Sequence, residues 1–186
     1  MKSTGTITSA ERTVEIAAVL LSLGYTWGYL KGWTPWCFFP AALGAAMLMV
    51  LCWRRKILAE AALQAFYVAM AGYGAHASAH PADWTPQQWP GAFHLLAIGL
   101  AGLATLLMAQ WLKRNTDSAL PRLDSFTTVF SLLATWLMVH NHHANWAYWI
   151  VIDTVAIYLY AKRGLPFGAA LCAIYLAMAV MGWFGV

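Results

Sequence analysis

Residues 145–153 read Asn-Trp-Ala-Tyr-Trp-Ile-Val-Ile-Asp. Asn145, Trp149 and Asp153 recur every fourth residue, so a helix places an amide, an indole and a carboxylate on one face. Trp146 sits beside that face. Such a surface suits a small cationic or polar ring. Indoles hold cations over their π-faces, and the amide and carboxylate supply acceptors and donors. Asp124, Thr128, Ser131 and Thr135 form a second polar stripe on one helical face, and Gln64 and Tyr67, three residues apart, form a third. Each stripe also has a plainer reading. Ser and Thr often bond back to a carbonyl of their own helix. Asp124, shortly after Pro121, suits a helix N-cap. Asp153 can serve as an interhelical hydrogen bond that fixes packing. Three stripes on three segments are better explained together, by one central hydrated pocket.

Other reactive residue types point elsewhere. His140-Asn141-His142-His143 invites a metal, because imidazole is a common ligand. A histidine-box membrane enzyme needs several such clusters converging, whereas His76, His80 and His94 stand alone. That enzyme is the remotest alternative, and no metal or other cofactor is expected. Cys37, Cys52 and Cys172 match no zinc or redox spacing and read as packing residues. No phosphate-binding loop or nucleophile–base motif occurs, so the chain is not expected to be an enzyme. Glu15 and Glu60 fall near the ends of apolar runs, where a solvated carboxylate is tolerable.

The elements that must position these residues are apolar. Of 186 residues, 61% are hydrophobic and 10% charged, and 11 are Trp. A soluble domain carries about 25% charged residues. Apolar runs occupy approximately 14–30, 34–52, 57–75, 93–112, 125–140, 145–161 and 167–185. At about 20 residues per span these are seven transmembrane helices, with no room for a separate soluble domain. Inside hydrocarbon a charged Asp153 costs about 3 kcal/mol or more, so the stripes face the bundle interior. The polar stretch Met1–Arg12 is followed by no cleavage site, so the first run reads as a retained helix. Pro40 predicts a kink in the second helix. His76 to Pro90, with Pro81, Pro86, Trp84 and Trp89, reads as an interfacial connection between two halves.

The net charge of +4 sits in short clusters between apolar runs, which argues against nucleic acid as a partner and for a bilayer. Lys2, Arg12, Arg54, Arg55, Lys56, Lys113, Arg114, Arg122, Lys162 and Arg163 all fall on one set of alternate connections, and Lys31 alone falls on the other. The positive-inside rule then puts the N-terminus inside and the C-terminus outside. A repeat is also visible. Trp36 to Gly72 and Trp146 to Gly182 have the same spacing, and the shared offset of 110 also pairs Ala46 with Ala156 and Ala69 with Ala179. One membrane domain, 1–186, is expected, built from repeat one (about 14–75), a linker helix (about 93–112) and repeat two (about 125–185). Three helices plus one linker restore the same orientation, so the two repeats run parallel, a transporter plan with its site at the repeat interface. Gly44, Gly72, Gly74 and Gly182 are candidates for close helix approach.

The stretch Asp124-Ser-Phe-Thr-Thr-Val-Phe-Ser-Leu-Leu-Ala-Thr-Trp-Leu-Met, followed by Asn145-Trp146, Trp149, Asp153 and Tyr160, resembles the PnuC family of vitamin transporters. So do Glu60, Leu63-Gln64, Tyr67 and Gly72-Tyr73, and the resemblance covers nearly the whole chain. It implies an all-α membrane protein of seven helices in a 3+1+3 arrangement, similar to the SWEET sugar transporters. It implies facilitated diffusion of a vitamin precursor across a bacterial inner membrane, with nicotinamide riboside the usual substrate. Trapping would fall to a cytoplasmic kinase, and a homo-oligomer is compatible with this plan. The ligand-facing residues implied are Gln64, Tyr67, Thr128, Ser131, Asn145, Trp146, Trp149 and Asp153. Thiamine, riboflavin and nucleosides stay open as substrates, because Ala10-Glu11-Arg12-Thr13 and Gly72-Tyr73-Gly74-Ala75-His76 depart from the nicotinamide riboside pattern.

Overall fold

The computed structural model describes residues 8–54, 58–80, 84–116, 118–164 and 166–185. Lys2, Arg55, Lys56, Pro81 and the side chain of Glu60 lie outside the described residues. Among those described, the chain forms seven helices: α1 (Ser9–Leu30), α2 (Phe38–Arg54), α3 (Leu58–Ser78), α4 (Gly91–Asn115), α5 (Pro121–Val139), α6 (Asn145–Lys162) and α7 (Pro166–Phe184). The seven apolar runs thus become seven helices, with ends displaced where local signals outweigh hydropathy.

Three such ends correct the sequence reading. α1 starts at Ser9, well before the apolar run. Thr8 and Glu11 form a capping box, in which the Thr8 hydroxyl accepts from Glu11 N–H at 3.2 Å and the Glu11 carboxylate accepts from Thr8 N–H at 3.0 Å. α2 starts at Phe38, so Pro40 sits in its first turn, where its missing N–H would have had no partner anyway. α5 starts at Pro121 with Leu120 as N-cap, so Asp124 is a first-turn residue and not the cap. Its carboxylate instead accepts from Ser118 Oγ at 2.5 Å and pairs with Arg163, just past α6, at 2.6 Å. The pair is partly exposed, so its contribution is about 0–1 kcal/mol, but it ties the α5–α6 pair at one end.

The chain divides into two compact units, Met1–Asp83 with α1–α3 and Trp84–Val186 with α4–α7. In the first, α2 packs on both α1 and α3. α1 and α2 approach closely at Gly44, where an added Cβ would lie 3.1 Å from the Ala18 carbonyl oxygen. In the second, α4 packs on α5, α5 on α6, and α6 on α7.

The α2–α3 and α6–α7 pairs repeat one device. A Cβ added to Gly74 would lie 2.5 Å from the Phe38 ring, and one added to Gly182 would lie 2.4 Å from the Trp146 ring. In both pairs an aromatic ring near the start of one helix occupies the space that a glycine near the end of the next leaves open. The units therefore align at an offset of 108, not 110. At that offset Ala61–Gly74, AALQAFYVAMAGYG, and Ala169–Gly182, AALCAIYLAMAVMG, share nine of fourteen residues. The earlier pairing of Trp36 with Trp146 fails for a physical reason. Trp36 precedes α2 and is 72% exposed, and a Cβ on Gly72 meets nothing within 4 Å. Gly72 is therefore not a close-packing glycine, whereas Gly44, Gly74 and Gly182 are.

The surface is inverted relative to a water-soluble protein. α4 exposes Phe93, Leu95, Leu96, Leu100, Leu103, Leu106, Leu107 and Trp111, and buries Ala101, Thr105 and Ala109. Small residues at four-residue steps let α5 approach, and the large apolar ones face outward, as hydrocarbon solvent requires. By length and hydropathy, Ser9–Leu30, Gly91–Asn115 and Phe167–Phe184 can cross a bilayer, and Phe38–Arg54 is apolar but shorter. The polar candidates all sit on the remaining helices, α3, α5 and α6.

The segment 84–90 is pinned to the α5–α6 turn. Gln87 N–H donates to Asn141 O at 3.0 Å, Trp84 Nε1 to Val139 O at 3.1 Å, and Asn141 Nδ2 to Trp84 O at 3.1 Å. His142 is buried there between Trp89 (ring centroids 5.2 Å apart) and Trp136 (6.3 Å), with Nδ1 unpartnered. Its pKa is lowered, first by burial and then by His140 and His94.

Two predictions follow from this packing. Gly74→Ala and Gly182→Ala should each lower the thermal midpoint in detergent, since overpacking costs about 1–3 kcal/mol, while Gly72→Ala should leave it unchanged. Equal midpoints for all three would show that the rings yield freely. Second, the unfolded chain protonates His142 at higher pH than the folded one. The turn should therefore lose stability as pH falls below about 6.5. Amide-exchange protection of Gln87 should drop between pH 7 and 5.5, and His142→Phe should flatten that dependence. A pH-independent protection factor in the wild type would count against it.

Candidate functional site

α6 carries the densest group of unmatched polar atoms. Asn145 is 1% exposed, and its Nδ2 donates to His142 O at 2.7 Å. That bond orients the amide and leaves the buried Oδ1 without a donor. One turn on, Trp149 Nε1 is buried without an acceptor. One further turn on, Asp153 is 6% exposed and has no hydrogen-bond partner among the described residues. Each unmatched buried group costs about 1–3 kcal/mol. Native structures retain such groups where something else satisfies them. An acceptor, a donor and a carboxylate, spaced about 6 Å apart along one face, make a template for a small polar ligand.

The hydroxyls of α5 sort into two classes. Ser125 donates to Pro121 O at 2.8 Å and Thr127 to Leu123 O at 3.0 Å, so both bond to their own helix. Thr154, on the exposed side of α6, does the same with Ile150 O at 2.7 Å. Thr128, Ser131 and Thr135 make no hydrogen bond among the described residues, although Ser131 and Thr135 are 8% exposed. Thr128 and Ser131 were expected in the binding face; Thr135 was seen on the stripe but not placed there. His142 is the midpoint of the turn between the helices, so Ser131 and Asp153, eleven residues either side of it, lie at one depth. Thr135 and Trp149, seven either side, share another. Sequence could not separate these classes, since every helical Ser or Thr has a carbonyl of its own turn within reach.

Trp146 has a different place. It is 6% exposed, with its ring against Gly182, so it holds α7 onto α6 beside the polar face. Gln64 and Tyr67 belong to the first unit. Gln64 is 8% exposed, and Tyr67 packs near Phe66 with ring centroids 5.9 Å apart. Tyr67 lies seven residues before Gly74 and so shares the α3 face that meets α2.

The internal repeat gives a second view of the site. At the offset of 108, Asn145, Trp146, Trp149 and Asp153 correspond to Cys37, Phe38, Ala41 and Ala45. The ring that packs on glycine is kept as an aromatic in both units. The three other positions are small in the first unit and polar or aromatic in the second. What the scaffold needs is repeated, and what differs is the chemistry of the α6 face.

The histidines diverge into aromatic contacts. His140 stacks on Trp136 with centroids 4.0 Å apart, and His143 packs on Trp183 at 5.1 Å. His94 Nδ1 lies 3.0 Å from the Tyr148 hydroxyl. Among the described residues no three His, Cys, Asp or Glu side chains gather as a metal-holding group.

Residues 12–185 match the family described as nicotinamide mononucleotide transporter. A nicotinamide riboside transporter PnuC from Neisseria mucosa is 31% identical over 105 residues, which cover 53% of this chain and 38% of that protein. The match thus spans well under half of that relative's length. The crystal structure of the vitamin B3 transporter PnuC superposes with a TM-score of 0.72 over 95% of this chain and 81% of that one, at 21% identity, and so shares the fold. With residues 12–185 inside the family, the chain belongs to the nicotinamide mononucleotide transporter family.

Proposed function

We propose that the protein carries nicotinamide riboside across the bacterial inner membrane by facilitated diffusion, binding it on the polar face of α5 and α6. The observation that carries this reading is the buried, unmatched pair Asn145 Oδ1 and Trp149 Nε1, with the buried carboxylate of Asp153 one turn further along the same helix face. The relative from Neisseria mucosa is named for nicotinamide riboside, and the solved PnuC for vitamin B3. Nicotinamide riboside combines a flat cationic ring, a carboxamide and ribose hydroxyls. The Trp149 face suits the cation at about 0.5–2 kcal/mol. Asp153 adds charge, and the amide of Asn145 with the hydroxyls of Thr128, Ser131 and Thr135 suits the polar groups. Gln64 and Tyr67 are ligand-facing in this proposal, and Trp146 borders the face. Thiamine, also a flat cation, is the second reading, and the departures at residues 10–13 and 72–76 favour keeping it.

The arrangement that fits this function is 3+1+3, with α4 as linker between parallel repeats and the N-terminus inside. The alternate placement of the basic residues supports that orientation. Nothing in a facilitator couples to an ion, so accumulation is assigned to a cytoplasmic kinase that phosphorylates the arriving vitamin.

Calorimetry on the purified protein tests the substrate. Nicotinamide riboside should bind with micromolar affinity and riboflavin should not. Binding of thiamine alone would transfer the assignment to it, and binding of neither would remove the cation argument. Trp149→Ala should weaken the bound cation several-fold, on the cation–π scale, and Asp153→Asn by at least as much. Wild-type affinity in either variant would remove that residue from the site. For orientation, alkaline phosphatase fused after Val186 should be active in intact cells, and an inactive fusion beside an active cytoplasmic reporter would invert the topology.

A further inference from the structure

Two contacts fix the register of α6 against α7. Trp146 lies against Gly182, and a Cβ added to Gly168 would lie 3.0 Å from the Tyr160 ring. The helices run antiparallel, so each step along one is matched by a step back along the other. Asp153 is midway between Trp146 and Tyr160, and Tyr175 is midway between Gly168 and Gly182. Each midpoint is seven residues from both of its ends. Seven residues are within about 20° of two full turns, so Asp153 projects in the direction of Trp146 and Tyr160. Tyr175 likewise projects in the direction of the two glycines. The carboxylate and the phenol ring therefore face each other across the seam at one depth.

The neighbouring levels agree. Trp149 falls opposite Ala179, which is 2% exposed, and Ala156 falls opposite Cys172, which is 9% exposed. The small alanines leave the centre of the seam to Asp153 and Tyr175. Independently of the register, the Asp153 carboxylate lies within electrostatic reach of the Cys172 thiol, one turn from Tyr175. The first unit shows what the same frame looks like without the acid. There Tyr67, the counterpart of Tyr175, falls opposite Ala45, and Gln64 stands where α7 has Cys172.

We propose that Tyr175 and Cys172 form the α7 wall of the ligand pocket, with Tyr175 a specificity-determining residue that holds the ligand ring against Asp153. This rests on the pocket assigned above to the polar face of α6. Asn145, more than nine-tenths buried with its Oδ1 unmatched, and the buried Asp153 two turns on mark that face as one that receives a ligand.

The test uses the full chain carrying Cys37→Ala and Cys52→Ala, which leaves Cys172 as its sole thiol. N-ethylmaleimide should alkylate Cys172 in the free protein. Saturating nicotinamide riboside, or thiamine if that is what binds, should slow alkylation at least tenfold. Ala173→Cys, at an exposed position and combined with Cys172→Ala, should react equally with and without ligand. In parallel, Tyr175→Ala should raise Kd at least fivefold, and Tyr175→Phe should change the ratio of affinities for the two vitamins. A Cys172 that is inert in the free protein, or alkylated equally fast with ligand, overturns the proposal. Asp153→Asn, run alongside, separates the two levels. If it weakens binding while Cys172 stays unprotected, the pocket stands and its α7 wall does not. If it binds like wild type, both fall. Should Tyr175→Ala fail to fold, the protection experiment on the native tyrosine still decides.

Discussion

The contact of the Trp146 ring with Gly182 sets the depth at which everything else in the second unit stands. An α-carbon bearing only hydrogen lets an indole lie flat on the backbone of the next helix, and no other residue gives that approach. Dispersion over a full ring face replaces the hydrophobic effect, which hydrocarbon solvent cannot supply between helices. The contact also works as a positional stop, because sliding α7 by one residue would put a side chain into the ring. Trp149 and Asp153 inherit their depth from that stop, and the Phe38–Gly74 contact does the same service for α3 in the first unit.

Around that frame, polar groups divide by whether their own helix satisfies them. Ser125, Thr127 and Thr154 close onto local carbonyls and add no demand on their surroundings. Asn145 Oδ1 and Trp149 Nε1 are buried without such a partner. In a bilayer such groups find no water in the surrounding hydrocarbon, so they raise the energy of the empty state. A ligand that answers them lowers it again. The unmatched pair stands on the α6 face, which is why the proposed ligand is placed there.

Much of this was legible in the sequence, though unevenly. The seven helices could be read from hydropathy alone, since each apolar run had to satisfy its backbone internally. Their ends could not, because capping chemistry moved α1 back to Ser9 and proline moved α5 back to Pro121. The i, i+4, i+8 pattern on α6 gave the polar face directly. The repeat was sensed but misregistered by two residues, because Trp36 and Gly72 mimic the spacing of Phe38 and Gly74, and only contact distinguishes them. The nine identities between Ala61–Gly74 and Ala169–Gly182 were present in the letters and went unread because the offset was taken from tryptophan. That the Thr135 hydroxyl leaves its own carbonyls alone could not be read from its place on the stripe.

The thirty-six-residue spacing from ring to glycine, kept in both α2–α3 and α6–α7, has a further consequence. From ring to glycine the two hairpins have equal length, whereas the links before them, 31–37 and 140–144, differ. The length difference between the two units of this chain therefore falls outside the hairpin. The hairpin is thus the part of the repeat whose length is held constant within this chain. Substitution on a frame of constant length can change the chemistry of a helix face, as the contrast between Ala45 and Asp153 records inside a single chain.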